Sequence, residues 1–336
     1  MSTIKPMHTN LVYGIAILLL ILGFFGYLEI KNYTYLGYNS NDFEVTKVDE
    51  GSPAAQAGMM IGDKIKTMAG IDARDAKTWD KKPRAKVGES REFVVDRGGE
   101  EVSYTLTYAS LPSKQKLLNR LGWTMGLIFM IMGVWTFSKR KNYAALLFAF
   151  FALAFGSTFV GRPYIADPAL RDVVSSVYTS FLLLGFAFLV AFLHHFPTKS
   201  AFMEKNNAMK ILFLPAIIMS AIIVCLNIFE PDSTSTLNTV MDMLFLFFIV
   251  FYFGWSVIML VRKYMAAGSE ERSSTGLSLL FWGAILGILP MLIYFIIGYI
   301  SPTATLPGED FIFLTMVFIP VLFAMAINKS GDAATA

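Results

Sequence analysis

The chain has 336 residues, 55% of them hydrophobic and 16% charged, with a mean hydropathy of +0.56. Soluble domains carry about 25% charged residues, so most of this chain requires lipid as its solvent, and a net charge of +3 is too small to point to nucleic acid. One cysteine, Cys225, excludes a disulfide framework or a Cys-based metal site within one chain, and three histidines (His8, His194, His195) leave little for His-based chemistry.

A membrane span needs about 20 mostly apolar residues. The first such run is Leu11–Ile30, after a short N-terminal segment, residues 1–10. Its apolar core is longer than that of a signal peptide, and "GYLEIKNYTY" after it holds no small-x-small cleavage site, so it reads as an uncleaved anchor.

Residues 31–118 then change character. "FEVTKV" alternates apolar and polar residues as a short strand does. In "DEGSP", Gly51 frees the backbone, Ser52 suits a helix N-cap and Pro53 the first helical turn. "AAQAG" predicts one or two turns of helix ended by Gly58. "GDKIKTMAGI" reads as turn, strand, turn, and "ARDAKTWDKK" as a short helix. "REFVVDRGGEEVSYTLTY" reads as two strands joined at Gly98-Gly99, a two-residue hairpin signal. The segment therefore predicts a small α+β domain, tethered at both ends by short links.

Seven further apolar runs follow: Leu121–Phe137, Tyr143–Phe159, Val173–His195, Ile211–Phe229, Val240–Val261, Leu277–Ile300 and Phe311–Ile327. The expected class is a polytopic α-helical membrane protein of eight spans, with a seven-helix bundle over 119–327 and a tail at 328–336. Pro215, Pro290 and Pro320 fall inside runs, where each removes a backbone hydrogen bond and predicts a kink. With the N-terminus in the cytoplasm, the inside segments hold eleven Lys and Arg, including Lys199, Lys205 and Lys210. The short outside loops hold two, Arg162 and Arg171. That bias fixes the orientation: both termini cytoplasmic and the α+β segment outside.

"V-x-x-V-x-x-GSPAAQAGMMIGDKI" resembles a bacterial PDZ domain, whose best sequence mark, "SPA-x-x-AG-hydrophobic-x-x-GD-x-I", covers residues 52–65. "YLGY" at 35–38 is similar to the loop that, in this family, receives a peptide's C-terminal carboxylate on its backbone N–H groups while the peptide adds as a strand. The resemblance implies that Leu36, Gly37 and Tyr38 form that loop, and that the next strand and a helix around Ala76–Trp79 line the side-chain pocket, with Trp79 in it. The order of anchor, PDZ-like domain and seven spans resembles the membrane input half of bacterial sensor proteins of the competence-pheromone type. "FLHHFPTK" at 192–199 and "VFIPVLFAMAINKS" at 317–330 carry that likeness. The expectation is of a chain without the catalytic half of those proteins, its output left to a separate partner. The resemblance thus implies a bacterial inner-membrane, sensor-like protein that takes a peptide or protein C-terminus outside and relays to a cytoplasmic or membrane partner. The other readings are an adaptor in a larger membrane complex and, with less support, an accessory to a membrane protease.

Catalytic patterns are missing from the sequence. There is no "HExxH", and the adjacent His194 and His195 point about 100° apart on a helix. No Ser in a Gly-rich elbow is accompanied by an external His, and Asp242 stands alone rather than as one of an intramembrane aspartate pair. The expected protein is not an enzyme and uses no cofactor or metal. Asp242 and Asn238, at the outer end of the sixth run, suit a helix N-terminus or a pair with Arg162 or Arg171. In "KSAFMEKNNAMK", Phe202, Met203 and Met209 lie among lysines, so the segment suits the inner membrane surface or an acidic partner docking on Lys199, Lys205 and Lys210.

Overall fold

The structure is a computed structural model that describes residues 5–75, 78, 82–229, 236–300 and 308–333. Apolar residues continue around every face of the long helices, as lipid on one side and neighbouring helices on the other require. In chain order these are α1 (Pro6–Glu29), α3 (Ser113–Lys139), α4 (Tyr143–Phe159), α5 (Pro168–His195), α6 (Ala208–Phe229), α7 (Thr236–Ala266) and α9 (Leu277–Ile300). A 3₁₀ segment, Glu309–Val317, leads into α10 (Phe318–Ala333). A four-residue helix, α2 (Pro53–Gln56), belongs to the sheet domain, and α8 (Ser269–Ser274) links α7 to α9. Among the described residues, seven helical segments are long and apolar enough to cross a membrane; α4, at 17 residues, is shorter. Their length and composition mark the chain as membrane-embedded.

The shortest apolar helix is the most enclosed. Almost every residue of α4 from Ala145 to Ala154 is buried, and it packs on α1, α3, α5 and α10. Small residues allow that closeness. A Cβ added at Gly126 of α3 would lie 2.6 Å from the Gly156 carbonyl oxygen of α4, and one at Gly133 would lie 2.7 Å from the Ala152 Cβ. Helix α1 is brought to the same place by Gly23 and Gly26, which rest on Val160 and the Gly161–Arg162 backbone. The Trp123 indole N–H donates to the Gly23 carbonyl at 2.9 Å.

Pro215 and Pro290 lie in helix interiors as expected. Pro320 does not. It occupies the first turn of α10, after the 3₁₀ segment, where no intrahelical N–H is needed. The last apolar run is thus two segments rather than one kinked helix.

Between α1 and α3 in sequence lies the sheet. Strands β1 (Thr34–Tyr35) and β8 (Ala109–Ser110) pair antiparallel, so the chain's entry and exit are held side by side. The larger sheet runs β2 (Tyr38–Asn41), β3 (Glu44–Val48), β4 (Lys64–Met68), β6 (Ser90–Arg97), β7 (Glu100–Thr107), with β5 (Ile71–Asp72) beside β4. Every pairing is antiparallel. The hairpin joining β6 and β7 turns at Gly98 and Gly99, with φ of 62° and 97°. Period-two alternation places Phe93 and Val95 of β6, and Tyr104 and Leu106 of β7, in a core with Val45, Ala54, Met59 and Ile65. Each large apolar side chain buried there contributes about 1.5–3 kcal/mol.

Candidate functional site

The loop Leu36–Tyr38 is shaped by the residues that follow it. Ser52 caps α2 by accepting from the Ala55 N–H at 3.1 Å, and its hydroxyl donates to the Gly37 carbonyl at 3.2 Å. The Asp49 N–H donates to the same carbonyl at 2.7 Å, and the Ala54 N–H to that of Leu36 at 3.0 Å. Both carbonyls are therefore turned into the fold. Gly37 sits at φ +80°, and an added Cβ would be 2.1 Å from the Ser52 Cβ, so no other residue fits. No described residue accepts a hydrogen bond from the N–H of Leu36 or of Gly37.

Strand β2 starts at Tyr38 and ends the larger sheet, so among the described residues no strand pairs with its outer side. A cavity of about 490 Å³ opens at the loop, lined by Leu36, Gly37 and Tyr38 and also by Tyr108, Leu111 and Gln115. Gln115 belongs to the first turn of α3. Burial, with the nearby Tyr108, pushes the Tyr38 phenol up to about 12, so it stays neutral. Tyr35 is likewise pushed up to about 12 by burial and by its 2.8 Å hydrogen bond to Asp49. The arrangement can take an extended backbone along β2 and an acceptor group at the two unpaired amides. Trp79, with most of the helix expected around it, lies outside the described residues.

The run at 52–65 is scaffold. The Asp63 carboxylate is buried and accepts from the Met60 N–H at 2.9 Å. It also receives Arg97 at 2.7 and 2.8 Å. Arg97 reaches on to the Gly58 carbonyl and the Tyr104 hydroxyl. The Arg97 guanidinium beside Asp63 holds its carboxyl below the usual carboxylate range. Arg97 carries no sequence signal of this role, because its partner is 34 residues away. Arg91 acts similarly: its guanidinium donates to Glu89 at 2.7 Å and to the Pro83 carbonyl at 2.9 Å, fixing the loop that carries Arg84.

Arg84 joins the sheet domain to the end of α1, and it was not a sequence candidate. Its guanidinium lies 3.7 Å from the Glu29 carboxylate at the end of α1. It lies 4.7 Å from the Tyr33 ring centre and 5.5 Å from that of Tyr164. Arg162 is nearby on the same loop as Tyr164, its guanidinium 5.0 Å over the Tyr178 ring. Asp242 is exposed on α7, and no ion pair between it and Arg162 or Arg171 is present among the described residues.

At the opposite ends of the helices, Lys199, Lys205 and Lys210 are exposed. The segment between them does not lie flat with its apolar side outward. Met203 is buried, and Phe202 packs against His194 and Trp255, with ring centres 4.8 and 5.8 Å away. The Lys263 ammonium donates to the Phe196 and Thr198 carbonyls at 2.8 Å each. The turn is thus tied into the bundle, with Lys205 held 5.9 Å from the Phe202 ring centre. Among the described residues no cluster of three or more His, Cys, Asp or Glu could hold a metal ion.

Comparison with known proteins adds little. No family model matches the chain, and no curated protein does. Among solved structures, the serine endoprotease from Yersinia pestis is similar over 24% of this chain and 30% of its own, at 26% identity and a TM-score of 0.22. A score that low carries no argument.

Proposed function

We propose that the chain is a non-enzymatic, receptor-like protein of a bacterial inner membrane, with eight spans and a PDZ-like domain on the outer side. The domain takes a peptide or protein C-terminus as an added strand along β2, its carboxylate on the N–H groups of Leu36 and Gly37. One observation carries this reading: an edge strand whose outer side pairs with no described strand begins directly after a loop whose two amides find no acceptor among the described residues and whose two carbonyls are turned away. An unpaired backbone donor is costly unless water or a ligand meets it.

The same cavity reaches Gln115 on α3, which supports coupling to the bundle. A ligand touching both parts favours the arrangement in which both contacts exist. The signal then passes to a partner on the cytoplasmic side, where Lys199, Lys205 and Lys210 present an exposed basic face to it.

The test is a selection of peptides with random C-termini on the full chain in mild detergent, followed by amidation of the selected sequences. The proposal expects sequence-selective binding that weakens at least about tenfold on amidation, since a charge-assisted hydrogen bond is lost and a charge is removed. Absence of selection, or equal binding of the amides, would sink it.

A further inference from the structure

We propose that the cleft between the sheet domain and the helix ends binds a phosphate group, carried by a phospholipid head or free in water. Two cavities, of about 610 and 650 Å³, adjoin there and share Glu29, Arg84 and Tyr164 as a common wall. Each lies within the range of about 300–1,000 Å³ usual for ligand pockets. Basic side chains outnumber acidic ones among the described lining residues. Arg162 and Arg171 stand in the first cavity, Lys31, Lys82 and Lys86 in the second, and Arg84 between them. The acids are Glu29 and Asp172. Among the described lining residues, six cations stand against two carboxylates. Glu29 is already matched by Arg84, and the Lys82 ammonium is turned to the Ala69 carbonyl at 2.8 Å.

A second observation is independent of charge. The Tyr178 hydroxyl, on a residue that lines the first cavity, is buried and has no hydrogen-bond partner among the described residues. Such a group costs about 1–3 kcal/mol when left unmatched, and an incoming acceptor removes that cost. Arg162 lies 5.0 Å over the same ring and lines the same cavity. Arginine suits phosphate because two of its N–H groups bind two oxygens at once.

Position narrows the ligand further. Glu29 ends α1, Ser157 and Thr158 lie in the last turn of α4, and Arg171 lies in the first turn of α5. The cleft therefore sits where three apolar helices end, at the level at which lipid head groups lie. A phosphate bound there would offset the positive charge facing the helices and hold the domain against them. The inference stands whether or not a peptide binds at Leu36–Tyr38.

The experiment uses the full chain in nanodiscs of phosphatidylcholine, with or without added phosphatidylglycerol. Lipid retained on the protein is counted by native mass spectrometry. In a parallel arm, inorganic phosphate is added to discs of phosphatidylcholine alone, and amide exchange is followed in residues 157–178. The lipid source predicts retained phosphatidylglycerol that falls about tenfold in R162Q/Y178F, falls less in R162K, and stays unchanged in K116Q outside both cavities. The free source predicts slowed exchange with phosphate and no selective lipid retention. Either result supports the site and names the source. Equal lipid retention in R162Q/Y178F with no phosphate effect overturns it. So does protection of 157–178 by an acidic peptide when neither phosphate source has any effect.

Discussion

Gly37 shows how one residue serves both fold and site. Its positive φ and the 2.1 Å approach of an added Cβ to Ser52 forbid any side chain. From the sequence, Gly37→Val reads as a change that blocks a ligand and spares the fold. In the structure it also displaces the hydroxyl that caps α2, so the ligand's carboxylate is the cleaner variable. Asp63 makes a sharper prediction. Asp63→Asn leaves Arg97 with weakened partners and should destabilise the sheet domain by about 1.5–3 kcal/mol, the range for hydrogen bonds to charged groups. Faster amide exchange in β6 and β7 of the full chain reports it. Because the Asp63 carboxyl is held below its ordinary range, its stabilisation is present above about pH 4. It is lost as the pH falls through the lower folded value. The asparagine variant should therefore show a shallower loss of protection between pH 4 and acid than the parent does. Ser52, Gly58 and the Gly98-Gly99 turn were legible in the sequence because their chemistry is local. Arg84, Arg91 and Arg97 were not, since their partners are brought near only by the fold.

Helices and strands were legible to the extent that each carries its own period. Tyr143–Phe159 has the expected bounds to the residue, and the strand pairs around "FEVTKV" and the Gly-Gly turn are present. Helix ends extend further than the apolar runs. Helix α3 starts at Ser113, and α5 starts at Pro168 behind the Asp167 cap, which accepts the Leu170 N–H at 2.7 Å. Polar first turns conceal such starts from a hydropathy reading. The 3₁₀ segment before α10 was not legible either, since its residues are as apolar as a span. Which helix lies innermost was equally hidden, because lipid-facing and core-facing residues are alike in composition; the glycines decide it. Gly126→Leu must push α3 off α4 at the Gly156 carbonyl, whereas Gly133 and the rest of the seam stay in place. Overpacking of this kind costs about 1–3 kcal/mol or more. Denaturation in mixed micelles should show that loss for Gly126→Leu, and a change under about 0.5 kcal/mol for Leu246→Ile on the exposed face of α7.

At the scale of the whole molecule, the β1–β8 pair closes the neck of the sheet domain, Arg84 meets Glu29 at the end of α1, and Lys114 of α3 pairs with Asp310 of the 3₁₀ segment before α10. The proposed orientation, with the sheet domain outside, rests on the eleven-to-two bias of Lys and Arg among the short loops. After replacement of Cys225, an impermeant thiol reagent applied outside should label a cysteine at Asp232 and miss one at Lys199. The reverse pattern would place the sheet domain in the cytoplasm and remove the proposed ligand's route to it. The central claim is that a C-terminus bound at Leu36–Tyr38 is felt by the helices. Hydrogen exchange of the full chain, with and without a saturating free-carboxylate peptide, measures this directly. The account predicts slowed exchange both in 35–41 and in the helix and loop segments 111–116 and 161–167. Protection confined to 35–41 and 49–56 would contradict it and leave the domain a passive grip.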